Sequence, residues 1–162
     1  GCIRFSVGIE SVDERVLKAT RNRITIGEFV RSLRWAKEAG MLTIGNFMIG
    51  NLGDDRESVA KTLRFALETE EIDLPSYVIL VPLPGTPVYE IGKQRGWIRS
   101  FDWDEYRMNN KGLPLMRNEA LSHEDIQELY AEAAAAVRPK ILKAFETLHL
   151  PRKSLYPELA GN

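Results

Sequence analysis

Apolar and polar residues are distributed along the chain in a pattern that predicts three β-strands. Residues 3–9 are apolar at every second position, as in a half-buried strand. Residues 41–49 are apolar almost throughout, which is typical of a parallel strand covered on both faces. Residues 77–81 are rich in β-formers and precede a proline-rich stretch that cannot continue a ladder. The segment Ile72–Pro75 is predicted as a connector.

Each predicted strand is followed by a segment with the 3.6-residue periodicity of a helix. Residues that favour helix N-termini mark the starts and glycines mark the ends of these segments. The starts are the capping boxes Ser11–Glu14 and Thr25–Glu28, then Asp54 and Asp55, Thr86 with Pro87, and Ser122–Asp125; the stops are Gly40 and Gly96. The last helix extends to about residue 147 and contains Pro139, where a kink is expected.

This alternation predicts an α/β fold of three parallel βα units followed by a helical appendage. The predicted strands begin roughly every 35–40 residues, the length of a βα unit joined by a right-handed crossover. Three units are too few to close a barrel, so they form a small open sheet or part of a larger barrel. We place the βα units in residues 1–96, and an aromatic loop segment, the long helix and a tail in residues 97–162.

Composition narrows the class of protein further. The 162 residues suffice for one domain with a core, and 44% are hydrophobic and 28% charged, as in ordinary globular proteins. A net charge of −1 favours neither nucleic acid nor an anionic membrane as partner. The single cysteine is typical of a reducing compartment, so a cytoplasmic location is expected. Because the chain starts in mid-strand at Gly1, we also expect it to be a fragment of a longer protein.

Ligands of α/β sheets bind beyond the carboxyl ends of the strands, where this chain has polar and glycine-rich segments. Glu10 follows the first strand and can accept hydrogen bonds from ribose hydroxyls, or it is a solvated carboxylate beside a helix N-terminus. Gly50-x-x-Gly53 follows the second strand and presents amides to an anion, or it is an ordinary tight turn. The segment Val81–Thr86 follows the third strand and is a ligand contact or a rigid turn.

Other chemistry-bearing residues give weaker indications. Arg21 and Arg23 can bind a carboxylate or phosphate, or they are a solvated helix end. His123, His149 and Cys2 lie in no pattern of metal ligands or of a catalytic triad. The sequence therefore indicates neither a catalytic residue nor a metal ligand.

Three motifs in order resemble the second half of the core of radical S-adenosylmethionine (SAM) enzymes. They are Gly8-Ile9-Glu10-Ser11 with Asn22-Arg23, Phe47-Met48-Ile49-Gly50 with Gly53-Asp54, and Pro82–Tyr89, and they resemble the family's strands 4, 5 and 6. The subgroup that has an upstream cobalamin-binding domain, including anaerobic Mg-protoporphyrin monomethyl ester oxidative cyclase, is the most similar. The resemblance implies the C-terminal half of a partial TIM barrel.

The same resemblance implies a role for individual residues. Glu10 would bind the SAM ribose and Arg23 the methionine carboxylate, with Asn46 also within reach of the ribose. Met48 would pack on the adenine, Gly50 is a further cofactor-binding candidate in the turn after the same strand, and the backbone at Val81 and Pro82 would meet the adenine edge. The parent would cleave SAM reductively and modify an organic substrate, by oxidative cyclisation or by cobalamin-dependent methyl transfer.

Two departures from the family pattern affect this interpretation. The turn after the second strand lacks the usual proline, and the chain lacks the three-cysteine motif that holds a [4Fe–4S] cluster. The chain alone is therefore expected to be inactive and to depend on a missing N-terminal half of the barrel. Its free sheet edge predicts self-association. Two alternatives remain, a stand-alone module that binds a nucleotide or phosphate, and a non-catalytic interaction domain.

Overall fold

The computed structural model describes residues 1–20, 24–106 and 114–147. Its sheet has three parallel strands in the order β1-β2-β3, which are β1 (Arg4–Glu10), β2 (Leu42–Ile49) and β3 (Leu74–Ile79). The helices are α1 (Glu14–Ala19), α2 (Ile26–Glu38), α3 (Arg56–Glu68), α4 (Pro87–Gln94) and α5 (His123–Thr147), with a 3₁₀ turn at Trp103–Glu105. The α/β class, the three parallel units and the C-terminal helix are thus confirmed. Within these described ranges, no helix has both the length and the apolarity needed to cross a membrane.

The third strand lies earlier than the sequence pattern predicts. Strand β3 spans Leu74–Ile79, so the strand predicted at residues 77–81 is present but begins and ends earlier. The connector predicted at Ile72–Pro75 is wrong for its second half, because Leu74 and Pro75 belong to β3. Proline is tolerated here since β3 forms an edge of the described sheet. The amide of Leu80 still donates to the carbonyl of Ile49 at 2.9 Å, and Val81 and Pro82 follow in the loop.

Local sequence signals set most of the helix ends. The capping box of Thr25 and Glu28 is present at the start of α2, and Gly40 has a φ of 75° just after its end. The capping box predicted at Ser11 is wrong, because Asp13 caps α1 and the Ser11 hydroxyl lies 3.2 Å from that of Thr62. Ser11 therefore joins the start of the β1–α1 connection to α3.

The core lies on one face of the sheet, between the strands and helices α2, α3 and α5. Phe47 is fully buried at its centre, and its ring stacks on Tyr77 with centroids 5.1 Å apart. The long helix contributes a stripe to the same core: Ile126, Leu129, Ala133, Val137, Ile141 and Phe145. Helix α5 is therefore part of the main core and covers β3.

The middle of the opposite face of the sheet has small and polar side chains. Gly8, Asn46 and Ser76 occupy matching positions on the three strands, so they share one face. Gly8 and the neighbouring Ser6 are exposed, and Asn46 and Ser76 are half-buried. This open face leads to the carboxyl ends of the strands, where the candidate site lies.

Candidate functional site

Glu10 ends β1 in an unusual backbone conformation. Its φ is 64°, the left-handed region that non-glycine residues adopt at a cost of about 1–2 kcal/mol. The β1–β2 register shifts between Gly8 and Glu10, which identifies a β-bulge. Bulges re-aim side chains, and here the bulge directs Glu10 back over the open face.

The Glu10 carboxylate lies above Gly8. A Cβ atom placed on Gly8 would come within 2.6 Å of Oε1 of Glu10, so only glycine leaves room for this arrangement. Burial raises the pKa of Glu10, and within the described ranges no group donates a hydrogen bond to its carboxylate. The strand end thus presents a partly desolvated carboxylate that can accept hydrogen bonds.

Asn46 lies beside Gly8 in the middle of the open face. Its Nδ2 donates to Oγ of Ser6 at 2.8 Å and to the carbonyl of Val7 at 3.2 Å, so the amide group is oriented by β1. The orientation of the Asn46 side chain is therefore fixed before any ligand binds to this face.

Met48 lies two residues further along the same face. Its side chain is half-buried and packs against a small cluster of Leu80, Trp97 and Met116. Met116 pairs with Ile98 in an isolated antiparallel bridge, so the segment before α5 supports this cluster. The aromatic segment thus covers the sheet through Trp97, whereas Phe101 and Trp103 are exposed.

The amides of the turn after β2 bind the carboxylate of Asp54, a residue of the same turn. The amides of Gly50 and Asn51 donate to Oδ2 of Asp54 at 3.1 and 3.0 Å, and the Ser58 hydroxyl donates to its Oδ1 at 2.8 Å. Asp54 is buried, and desolvation raises its pKa to about 6 despite these bonds. The helix cap is Asp55 alone. Gly50, with a φ of 92°, shapes the turn.

Asn118 is a buried residue that the sequence analysis did not single out. Its Nδ2 donates to the carbonyls of Asn51 at 2.9 Å and Asp54 at 3.0 Å. Its Oδ1 accepts from the amides of Ala120 at 2.9 Å and Leu121 at 2.7 Å. The bonds to Ala120 and Leu121 are typical of an Asx turn, which a sequence pattern can predict. The bonds to the β2–α3 turn join residues more than 60 positions apart, and no local sequence pattern predicts them.

The remaining candidates lie elsewhere or outside the described ranges. Arg21, Arg23 and His149 belong to the segments that the structure does not describe. Cys2 is exposed next to the amino end of β1, and His123 is half-buried with its pKa lowered mainly by burial. Among the described residues, no three His, Cys, Asp or Glu side chains are grouped to hold a metal ion. A [4Fe–4S] cluster therefore does not fit the described part of this chain, which has a single thiol.

The structure brings three of the predicted residues to one sheet edge. Glu10 and Met48 lie at the carboxyl ends of β1 and β2, Asn46 lies two residues before Met48 on the same face, and Val81 and Pro82 follow the carboxyl end of β3. The edge combines a carboxylate, a fixed amide and a thioether. Such a set suits a ligand with both hydroxyl groups and an apolar ring.

Comparison with known proteins identifies the family of this chain. Residues 1–66 match the model of the radical SAM superfamily. An uncharacterized methyltransferase of Pyrococcus horikoshii is 30% identical over 144 residues, which are 88% of this chain and 30% of that protein. Bacteriochlorophyllide d C-12(1)-methyltransferase of Chlorobaculum tepidum is 34% identical over 109 residues, 65% of this chain and 23% of that protein.

A third relative and a solved structure extend the comparison. Anaerobic magnesium-protoporphyrin IX monomethyl ester cyclase of Cereibacter sphaeroides is 25% identical over 126 residues, 78% of this chain and 20% of that protein. The archaeal Elp3 of Methanocaldococcus infernus has a TM-score of 0.56 at 14% identity, over 86% of this chain and 37% of that one, so the fold is that of a partial barrel. The chain thus spans between 20% and 30% of the length of these three relatives. By these matches, the chain belongs to the radical SAM superfamily.

Proposed function

We propose that this chain supplies the adenosine-binding part of a radical SAM enzyme. The enzyme would cleave SAM reductively and modify an organic substrate by radical chemistry. The observation that supports this most directly is the bulged end of β1, where Glu10 adopts a positive φ and lays its carboxylate over Gly8. Strain of this kind persists where the surroundings demand a particular side-chain direction.

Each proposed contact follows from the chemistry of the residue. Glu10 accepts hydrogen bonds from the ribose hydroxyls, and Asn46 reaches the ribose from the neighbouring strand. Met48 packs on the adenine ring with its polarizable sulfur. Gly50 keeps the following turn clear of the ring, and the backbone at Val81 and Pro82 meets the adenine edge.

Arg23 completes the proposed SAM site. A guanidinium at this position would pair with the methionine carboxylate, since arginine binds carboxylates in a bidentate manner. Its position lies outside the described residues. Together these residues bind and orient SAM, and none of them takes part in bond breaking.

The reductant that cleavage requires would be a [4Fe–4S] cluster held by other parts of the polypeptide. That assignment follows from the single thiol of this chain and from its match to less than a third of its relatives. The earlier barrel strands would pair with the free edge of β1, and the isolated chain would be inactive and would self-associate through that edge.

The type of reaction is proposed from the relatives. Two of them are named as methyltransferases and one as a cyclase, so we propose methyl transfer or oxidative cyclisation of an organic substrate. Methyl transfer would use cobalamin bound elsewhere in the enzyme. We place the barrel portion in residues 1–96 and the supporting loop, helix and tail in residues 97–162.

The test is equilibrium binding of SAM to the full-length protein by isothermal titration calorimetry. Glu10→Gln should weaken binding about tenfold or more, because a charge-assisted hydrogen bond contributes about 1.5–3 kcal/mol. Gly8→Ala should weaken binding comparably, because the added Cβ displaces the Glu10 carboxylate.

The matched control is Glu14→Gln, which neutralises an exposed carboxylate in the first turn of α1. It should leave the affinity for SAM unchanged. A wild-type protein that binds no SAM, or that binds ATP more tightly than SAM, would overturn the proposed function.

A further inference from the structure

The turn between β2 and α3 is stabilised by hydrogen bonds within the turn and by hydrogen bonds from a residue distant in the sequence. From inside, the Asp54 carboxylate occupies the amides of Gly50 and Asn51, so these donors are engaged. The carbonyls of Asn51 and Asp54 remain as acceptors, and both accept hydrogen bonds from Asn118. The conformation of the turn therefore depends on a residue far away in the sequence.

Asn118 is suited to this role because its hydrogen-bonding groups are fully used. The side chain is only 1% exposed, and its amide makes two bonds as donor and two as acceptor. The two accepted bonds fix the backbone at Ala120 and Leu121, directly before the Ser122–Asp125 capping box that starts α5. A single side chain thus joins the β2–α3 turn to the start of the C-terminal helix.

The same C-terminal segment reaches Met48 by two routes. The first is the side-chain cluster that includes Met116, against which Met48 packs. The second runs through the main chain, because Nδ2 of Asn51 donates to the Met48 carbonyl at 3.2 Å and the Asn51 carbonyl accepts from Asn118. Residues 116–121 therefore support Met48 both through its side chain and, by way of Asn51, through its carbonyl.

We propose that Asn118 is a positioning residue for the adenosine site, through which the segment preceding α5 holds the β2–α3 turn and Met48 in the geometry that receives the ligand. This inference rests on the proposed function, because it takes Met48 as a ligand contact. Asn118 contacts no ligand itself and acts through Asn51 and Asp54.

The experiment measures the affinity of the full-length protein for S-adenosylhomocysteine, a probe whose binding is read by calorimetry without turnover. Asn118→Asp keeps the size of the side chain but turns an oxygen toward the carbonyls of Asn51 and Asp54. The expected result is a roughly tenfold loss of affinity. Asn118→Ser is the second variant, and it should weaken binding in the same direction if the aspartate variant does not fold.

The matched control removes a buried polar group at the other end of the same strand. Thr43→Val deletes a buried hydroxyl that bonds to the Glu71 carbonyl and to Asp73, at the amino end of β2. It should lower the melting temperature, as the Asn118 variants do, while leaving the affinity for the probe unchanged.

The outcomes separate the two proposals. Wild-type protein that binds neither S-adenosylhomocysteine nor SAM overturns the proposed function. Wild-type protein that binds the probe, together with Asn118 variants that fold and bind it equally well, overturns the positioning role alone. Equal losses of affinity in Thr43→Val and the Asn118 variants would also overturn it, because general destabilisation would then explain both.

Discussion

Replacing Asp54 by asparagine should remove a pH-dependent contribution to the stability of this fold. The Asp54 carboxyl group is buried, and desolvation raises its pKa from 3.8 to about 6. The folded state therefore binds a proton more tightly than the unfolded state does. By linkage, the contribution of Asp54 to stability is fully present below pH 3.8 and is lost as the pH rises through 6.

The magnitude follows from the two pKa values. A pKa difference of this size corresponds to about 3 kcal/mol between the two pH limits, at about 1.4 kcal/mol per pH unit. Most of this change in the free energy of unfolding occurs between pH 7 and pH 4. It amounts to about 1.3 kcal/mol from pH 7 to pH 5 and about 2.4 kcal/mol from pH 7 to pH 4. The asparagine side chain does not titrate, so the free energy of unfolding of wild type minus that of Asp54→Asn should rise by these amounts on acidification.

The assay is urea denaturation of both proteins at pH 7, 6, 5 and 4, followed by circular dichroism. Taking the difference between the two proteins cancels the titration of all other groups. The neighbouring residue provides a matched control, since hydrogen bonds from Ser58 and Arg15 lower the pKa of Asp55. The contribution of Asp55 is present above pH 3.8 and is lost at lower pH, so Asp55→Asn should give a difference of opposite slope.

Two results would refute this reasoning. A difference between wild type and Asp54→Asn that stays constant from pH 7 to pH 4 would mean that Asp54 does not titrate in this range. A difference that falls on acidification would mean that the hydrogen bonds from Gly50, Asn51 and Ser58 outweigh the desolvation of the carboxylate.

Three further predictions test the packing of the fold. Gly50→Ala should destabilise the fold more than Gly85→Ala does. Both glycines have a positive φ, which costs about 1–2 kcal/mol for alanine. At Gly50 the new Cβ would also lie 3.3 Å from the Ile126 side chain, whereas at Gly85 it would meet no atom within 4 Å. Equal losses in urea denaturation would contradict the contact. Phe47→Ala should cost about 3–5 kcal/mol in the same assay, because the ring is fully buried; a loss below about 1.5 kcal/mol would count against a core centred there. Lys140→Met should lower the free energy of unfolding by roughly 1–2 kcal/mol, because the Lys140 ammonium group donates to three carbonyls at the end of α3. Hydrogen exchange should show faster opening of that helix end in the variant. Unchanged exchange would refute this role of Lys140.

Local signals predicted the parts of the fold that local physics decides. Period-2 and period-3.6 patterns located β1 and β2 and the long helix, and capping chemistry located the starts of α2 and α3 at Thr25 and Asp55. The bounds predicted for the third strand are wrong because proline is uncommon inside a strand, and only the tertiary arrangement makes β3 an edge strand that tolerates Pro75. The order of strands in the sheet resolves that ambiguity.

In the candidate site, too, the features with a local sequence signal were predictable and the others were not. Placement at the strand ends was predictable for Glu10 and Asn46, because the ends of parallel strands meet at one edge. The bulge at Glu10 was not, since a positive φ in a glutamate has no local signal. The sequence predicts Asp54 as a helix cap beside Asp55, whereas its carboxylate accepts hydrogen bonds from the amides of Gly50 and Asn51 in the preceding turn. The sequence pattern does not mark Asn118, because its partners Asn51 and Asp54 lie far away in the chain.

The tethered Asp54 carboxylate also determines which ligands the β2–α3 turn can select. A phosphate approaching the amides of Gly50 and Asn51 would have to displace a group attached to the same chain, whose effective concentration lies in the range of intramolecular partners. It would also meet a buried negative charge above pH 6. We therefore expect the turn to disfavour a phosphate at these amides, whereas the proposed adenosine ligand, which carries no phosphate, would not have to displace Asp54.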